Sequence, residues 1–229
     1  MRKRIKRSLP LAVLGLLLAA AGAYATVWVP IYGNDMSTNG LRSQLVQFGK
    51  GKCAPSGVAG TFRVKIGKQT QACVYRSTVI GRDLSIVISG KLLSGTPGSI
   101  ASRTFISVSL RNGDGGQFQL QVFPKKGTYK LVRDTPPNGK EAVVASHKSS
   151  AVKGLNLANK LRLDAANTTN NSCRVTAYDN GKKLAAFTDP ACSDLSGRLS
   201  TFSVGSTQAA KGALASFDNL QVSLPDPNG

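Results

Sequence analysis

Acidic side chains are scarce in this 229-residue chain: eleven Asp and Glu stand against thirty Lys and Arg, a formal net charge of +19. Only one acid, Glu141, is a glutamate. Chemistry that needs two convergent carboxylates, such as glycoside hydrolysis, therefore has few candidates. The nearest grouping, Asp179 with Asp189 and Asp194, sits in or beside turns, where Asp usually serves the backbone. There is one histidine, His147, and no cysteine stands in a C-x-x-C pair, so the common zinc ligand sets cannot be assembled. No G-x-S-x-G turn exists to seat a serine nucleophile. Aromatic residues make up 6% of the chain, and the one tryptophan, Trp28, precedes the main body. Basic residues do not interleave with aromatics as nucleic-acid grooves require. These absences predict no catalytic residue, no metal, no cofactor and no nucleic-acid partner.

What is present begins with a targeting segment. Arg2, Lys3, Arg4, Lys6 and Arg7 form a basic head, and the run from Leu11 to Val29 carries no charge. As a helix, that run would span roughly 28 Å, close to the thickness of a bilayer core. Residues 1–32 thus read as a head plus a membrane anchor or a secretory signal, with the N-terminus in the cytoplasm and the rest outside. Ala23-Tyr24-Ala25 offers a signal-peptidase site after Ala25. Cleavage there would expose the apolar stretch from Thr26 to Tyr32; an uncleaved anchor would bury it, with Trp28 and Tyr32 at the interface. Both readings place the body of the protein in an extracytoplasmic compartment.

The cysteines agree. Cys53, Cys73, Cys173 and Cys192 allow three pairings, and their spacing favours two local staples, Cys53–Cys73 and Cys173–Cys192. Each closes a loop of about 20 residues, worth on the order of 3 kcal/mol. Such bonds persist in oxidising compartments.

Residues 33–57, rich in Gly, Ser and Asn, read as a linker, residues 58–225 as one β-domain and residues 226–229 as a tail. From Val58 on, the apolar period is two. Phe62, Val64 and Ile66 alternate with Arg63 and Lys65; Ile106, Val108 and Leu110 with Ser107 and Ser109; Phe118, Leu120 and Val122 with Gln117, Gln119 and Gln121. Antiparallel strands with one core face and one wet face have this pattern. Turns punctuate it at Asn112-Gly113, Lys125-Lys126-Gly127, Pro136-Pro137-Asn138-Gly139 and Asn180-Gly181. Eleven or twelve short strands and no helix after the N-terminus predict an all-β, two-sheet antiparallel jelly-roll sandwich.

The second half also carries a resemblance. Asn159-Lys-Leu-Arg-Leu163, Tyr178-Asp-Asn-Gly181 and Phe217-Asp-Asn-Leu-Gln-Val222 follow one another as they do in concanavalin A-like jelly-roll domains. Residues from about 60 to 225 resemble laminin-G-like modules and domains of the 3-keto-disaccharide hydrolase type. The resemblance implies the sandwich fold and, among its members, lectins, glycan hydrolases and adhesion modules. The E-x-D-x-x-E strand of laminarinase-like members is missing. Around Phe217-Asp218-Asn219 the alternation slips, which predicts a bulge held by Asp218.

Even without the head, twenty-five bases face eleven acids, a net +14. That surface suits an anionic partner. A membrane-tethered or secreted, non-enzymatic module that recognises a glycan or an anionic envelope polymer is the first expectation. Tyr75, Tyr129, Tyr178, Arg133 and Arg162 are its candidate ligand-binding residues. The alternatives are a glycan-active hydrolase of the 3-keto-disaccharide hydrolase type and a structural or protein-interaction module. The hydrolase needs acids such as Asp83, Asp164, Asp179, Asp189 and Asp194 to converge.

Overall fold

The computed structural model describes residues 26–48, 51–111, 116–135, 140–168, 172–190 and 198–227. Fifteen strands and two short helices follow in chain order. They are β1 Trp28–Asn34, α1 Asn39–Ser43, β2 Val46–Phe48, β3 Cys53–Val58, β4 Thr61–Ile66, β5 Ala72–Gly81, β6 Leu84–Leu92 and α2 Gly98–Ala101. Then come β7 Thr104–Arg111, β8 Gln117–Phe123, β9 Thr128–Thr135, β10 Lys140–Lys148, β11 Asn159–Asn167, β12 Cys173–Asp179, β13 Lys182–Asp189, β14 Arg198–Ser206 and β15 Leu214–Pro225.

They form two antiparallel sheets. The first runs β13-β12-β11-β6-β15-β4-β3, with β1 also paired to β15; the second runs β10-β9-β8-β7-β14-β5-β2. This is the expected concanavalin A-like sandwich. The period-two apolar residues fill the space between the sheets: Leu84, Ile86, Ile88, Leu161 and Leu163 from the first, Ile106, Val108, Leu110, Leu120 and Val122 from the second, all fully buried. Burying each such side chain contributes about 1.5–3 kcal/mol. An aromatic cluster joins the layers, with ring centroids 4.8 Å apart for Phe62–Tyr75 and 4.9 Å for Phe202–Phe217.

Several local expectations hold. Asn180 and Gly181 sit at φ 49° and 78° in the tight turn between β12 and β13. Gly127 at φ 64° closes the turn after β8. The pairing of β15 with β6 shifts register between Asp218 and Gln221, and Asp218 Oδ1 accepts from the Asn219 amide at 2.8 Å. The turns expected at Asn112-Gly113 and Pro136–Gly139 lie outside the described residues.

Cys53–Cys73 is a disulfide, with Cα atoms 5.7 Å apart, and it joins β3 of the first sheet to β5 of the second. Cys173 is also disulfide-bonded. Its expected partner, Cys192, lies outside the described residues.

Two expectations need correction. The presumed linker 33–57 is part of the sandwich: it holds the end of β1, α1, β2 and β3. Its Gly and Ser content hides these elements because edge strands with exposed side chains need no apolar alternation; β3 pairs with β4 through its backbone alone. The apolar stretch Trp28–Tyr32 is likewise not part of a helix. It lies in β1, with Trp28 opposite Pro225 and Tyr32 opposite Val222, and the Asp226 amide donates to the Val27 carbonyl at 2.8 Å. Among the described residues no helix is long and apolar enough to cross a membrane. Residues 1–25, where the basic head and the rest of the apolar run fall, lie outside the described residues.

Candidate functional site

The outward face of the second sheet carries an unusual set of side chains. Strand alternation that sends Ile106, Val108 and Leu110 into the core turns Phe105, Ser107 and Ser109 outward; on β8 it turns Gln117, Gln119 and Gln121 outward, and on β14 Thr201 and Ser203. Register aligns them in rows. Ser203, Ser107, Gln121, Lys130 and Ser146 lie side by side across five strands, and Thr201, Ser109, Gln119, Val132 and Val143 form the next row. Hydroxyls and amides thus repeat about every 4.8 Å across the strands and about 6.7 Å along them.

A wet sheet face normally leaves such groups in solvent. Here Ser107 and Thr201 are 0% exposed, Ser203 2%, Ser109 3% and Gln121 5%. Of these, Ser109, Gln121 and Ser203 line a groove of about 410 Å³ together with Ser206, Gln117, Gln119, Phe105, Glu141 and Thr207. Hydrogen bonds lock part of the floor. Ser107 and Ser203 share one at 2.6 Å, Gln119 Nε2 donates to Ser107 Oγ at 3.0 Å, and Gln121 Nε2 donates to Gln119 Oε1 at 2.8 Å. Thr201 Oγ1 and Ser206 Oγ are buried and make no hydrogen bond among the described residues. Buried hydroxyls without a partner are costly unless a ligand or water completes them.

The two ends of the groove differ in charge. At one end it meets a second hollow of about 380 Å³ at Thr207, where Phe105 and Phe123 touch edge to face at 5.5 Å. Arg103, Lys126, Lys130 and Lys148 line that hollow with His147. Among the described residues none of the four cations is within ion-pair distance of an acid. His147 lies exposed on β10. At the other end Asp134 and Glu141 stand directly opposite each other on β9 and β10, and Gln117 on β8 donates to Asp134.

The candidate ligand residues read from the sequence are not brought together here. Tyr75 is 2% exposed and Tyr129 4%; both rings belong to the core, so neither offers a face to a ligand. Burial pushes the Tyr75 hydroxyl up to about 12, and it makes no hydrogen bond among the described residues. Tyr129 donates to the Leu184 carbonyl at 2.7 Å. Arg133 points between the sheets, donating to Asp189 on β13 and to Thr135. Alternation made the tyrosines visible as polar-tipped residues on strands, but not which face they take.

Tyr178 and Arg162 do meet, on the outward face of the first sheet, beside a hollow of about 580 Å³ that Trp28, Arg174 and Lys183 also line. The Arg162 guanidinium lies 5.1 Å above the Tyr178 ring, and Asp164 accepts from Arg162 at 2.8 Å and from Ser85 at 2.6 Å. The acids named for a hydrolase are scattered. Asp83 accepts from the Asn167 amide, Asp164 is in this cluster, Asp179 is inside the sandwich, Asp189 is bound to Arg133, and Asp194 lies outside the described residues. Among the described residues no group of three or more His, Cys, Asp or Glu could hold a metal ion.

Sequence reading had placed Ser107, Ser109, Gln117, Gln119 and Gln121 on a wet face without singling them out. One signal was available. In a chain with thirty Lys and Arg, two neighbouring strands carry only uncharged hydrogen-bonding groups between their core residues.

No protein-family model matches the chain, and no curated protein matches it in sequence. Solved structures do resemble it. The carbohydrate-binding module CBM66 from Bacillus subtilis superposes with a TM-score of 0.56 at 15% identity, over 79% of this chain and 95% of that one. The carbohydrate recognition domain of Emp46p gives 0.60 at 11% identity, over 86% and 97%. The alginate lyase vAL-1 from Chlorella virus gives 0.59 at 15% identity, over 86% and 100%. At these identities the likeness is one of fold.

Proposed function

We propose that this chain is a non-enzymatic glycan-binding module that works outside the cytoplasmic membrane and takes its ligand in the groove of the second sheet. One observation carries the reading: a groove on the outward sheet face whose Ser109, Ser203 and Gln121 are as buried as core residues, with Ser206 Oγ making no hydrogen bond among the described residues. Rows of neutral donors and acceptors suit sugar hydroxyls, and the Phe105 ring adds an apolar wall. The fold shared with a carbohydrate-binding module and a carbohydrate recognition domain supports it. Affinity electrophoresis of the exported protein against a panel of polysaccharides tests it. Gln119→Ala should weaken binding to the retarding polysaccharide about tenfold, the loss of one or two hydrogen bonds, without moving the melting temperature. A variant that binds like the parent overturns the groove assignment.

Features of the same structure support export through a cleaved signal. With Val27 and Trp28 committed to the sandwich, the uncharged run shortens to Leu11–Ala25, roughly 22 Å as a helix, which is short for a bilayer and the right length for a signal peptide. The stretch that cleavage would have exposed is held by β15. The disulfide suits an oxidising compartment. The mature protein should therefore begin at Thr26; intact mass that retains residues 1–25 would restore the anchor.

A second reading rests on Asp134 and Glu141. They are the acids the groove brings together, in a fold also used by an alginate lyase and a transglycosylase. A glycan-active enzyme would release new chain ends from a bound polysaccharide, and Glu141→Gln would stop it while binding persists.

A further inference from the structure

We infer that the ligand of the groove is an acidic glycan, one bearing carboxylate, sulfate or phosphate groups, and that the hollow beyond Thr207 is the subsite for its charged substituent; this rests on the glycan reading of the groove. Three features of the structure converge on it. The groove and the hollow adjoin, with Thr207 lining both and the Phe105–Phe123 contact between them. The groove floor is neutral, so it reads hydroxyls and not charge. The hollow holds four cations with no acidic partner among the described residues, and Lys130 stands directly beside Gln121 of the floor in the strand register.

The neighbours of Lys130 confirm that the charge is available. Its ammonium lies 5.8 Å from the Phe123 ring centroid, a contact that holds the side chain over the groove end while leaving its positive charge unneutralised. Arg103 Nε is buried without a hydrogen bond among the described residues. An unsatisfied guanidinium N–H at the wall of a hollow is a donor waiting for an acceptor, and guanidinium suits planar or tetrahedral oxyanions.

The opposite end sets a direction. Asp134 lies four residues beyond Lys130 on β9, about 13 Å away, and faces Glu141. Carboxylates there repel an anionic group, so an acidic chain is held with its charged unit at the Lys130 end and neutral hydroxyls over Ser109 and Gln119. The charge asymmetry gives orientation; the neutral floor gives contacts common to any glycan.

Isothermal titration and affinity electrophoresis of the mature protein test this, with alginate and polygalacturonate as acidic probes, dextran and laminarin as neutral ones, and polyphosphate as an anion without sugar. Each is run at about 20 mM and about 300 mM NaCl, since exposed charge contacts are screened over that range. Acidic polysaccharides should bind more tightly than neutral ones, with an advantage that shrinks in salt. The double variant Lys130→Gln/Lys148→Gln should lose roughly five- to tenfold for the acidic probes only, while Gln119→Ala weakens both kinds of glycan. If neutral glycans bind as well as acidic ones and salt has no effect, the acidic subsite is wrong and the glycan groove stands. If polyphosphate binds as tightly as alginate and Gln119→Ala changes nothing, the surface is an unspecific polyanion binder and the inference fails. If no polysaccharide binds at low salt, the glycan reading itself falls and takes the subsite with it.

Discussion

Asp179 ends β12 with its carboxyl inside the sandwich, opposite the core residue Leu161, and neither oxygen finds a hydrogen-bonding partner among the described residues. Burial raises its pKa from 3.8 to about 7; the neighbouring Asn180 amide and the Lys153 charge offset only part of that. The native state thus favours the protonated acid. Stability contributed by this group is full below the unfolded value near 3.8, declines as pH rises through the window up to about 7, and is constant above it. Asp179→Asn removes the ionisation. Measured by urea unfolding, the stability gained by the variant over the parent should grow between those pH values, by an amount on the order of 4 kcal/mol, and then level off. A gain that does not vary with pH would show that the carboxyl is not buried as described. Tyr75 makes a parallel case. Its hydroxyl is buried and has no partner among the described residues, so Tyr75→Phe should be neutral or stabilising by about 1 kcal/mol, with glycan binding unchanged. Lost binding in that variant would return Tyr75 to the ligand site.

Among the elements, those with a regular two-residue period were legible and those without it were not. β4, β6, β7 and β8 announce themselves because every second residue is a branched or aromatic apolar residue that has to face the core. The Asn180-Gly181 turn shows because both residues tolerate positive φ. β1, β2 and β3 were hidden, as edge strands are held by backbone pairing and leave most side chains in water. The turn between β3 and β4 was hidden too. It places Ala59 at φ 46° before Gly60, where the usual signal is Asn or Asp. The groove was half legible: period two put its residues on the wet face, but only strand order could set Ser203 of β14 beside Ser107 of β7. The charge asymmetry needed the pairing of β9 with β10. The Cys53–Cys73 staple was readable from spacing, but its role was not. It ties the two sheets together instead of closing a linker. Cys53→Ser with Cys73→Ser should lower unfolding stability by about 3 kcal/mol, the entropy of a 20-residue loop, in a protein that still folds. An unchanged urea midpoint would mean that reduced and oxidised chains are equally constrained.

On the scale of the whole molecule, a strongly basic chain presents two quite different outer faces. That of the first sheet pairs Arg162 with Asp164 and Tyr178 and carries Arg174 and Lys183 beside them; that of the second keeps cations and acids at opposite ends of a neutral trough. The sandwich is also fastened unequally along its two margins. At β3 and β5 a covalent bond closes it. At β13 and β9 the contacts among the described residues are the Tyr129 hydroxyl on Leu184 and the Arg133–Asp189 ion pair. The molecule is therefore bound like a book, with a sewn spine on one side and a clasp on the other, and thermal opening should start at the clasp. Amides of β10 and β13 should exchange with deuterium sooner than those of β4 and β5, and a polysaccharide seated across β8, β9 and β10 should slow that exchange on the second sheet most of all. Uniform exchange along both margins would contradict the clasp. Because the trough's charged end lies on the same leaf, occupancy and the breathing of the fold are coupled: a filled groove latches the cover that carries it.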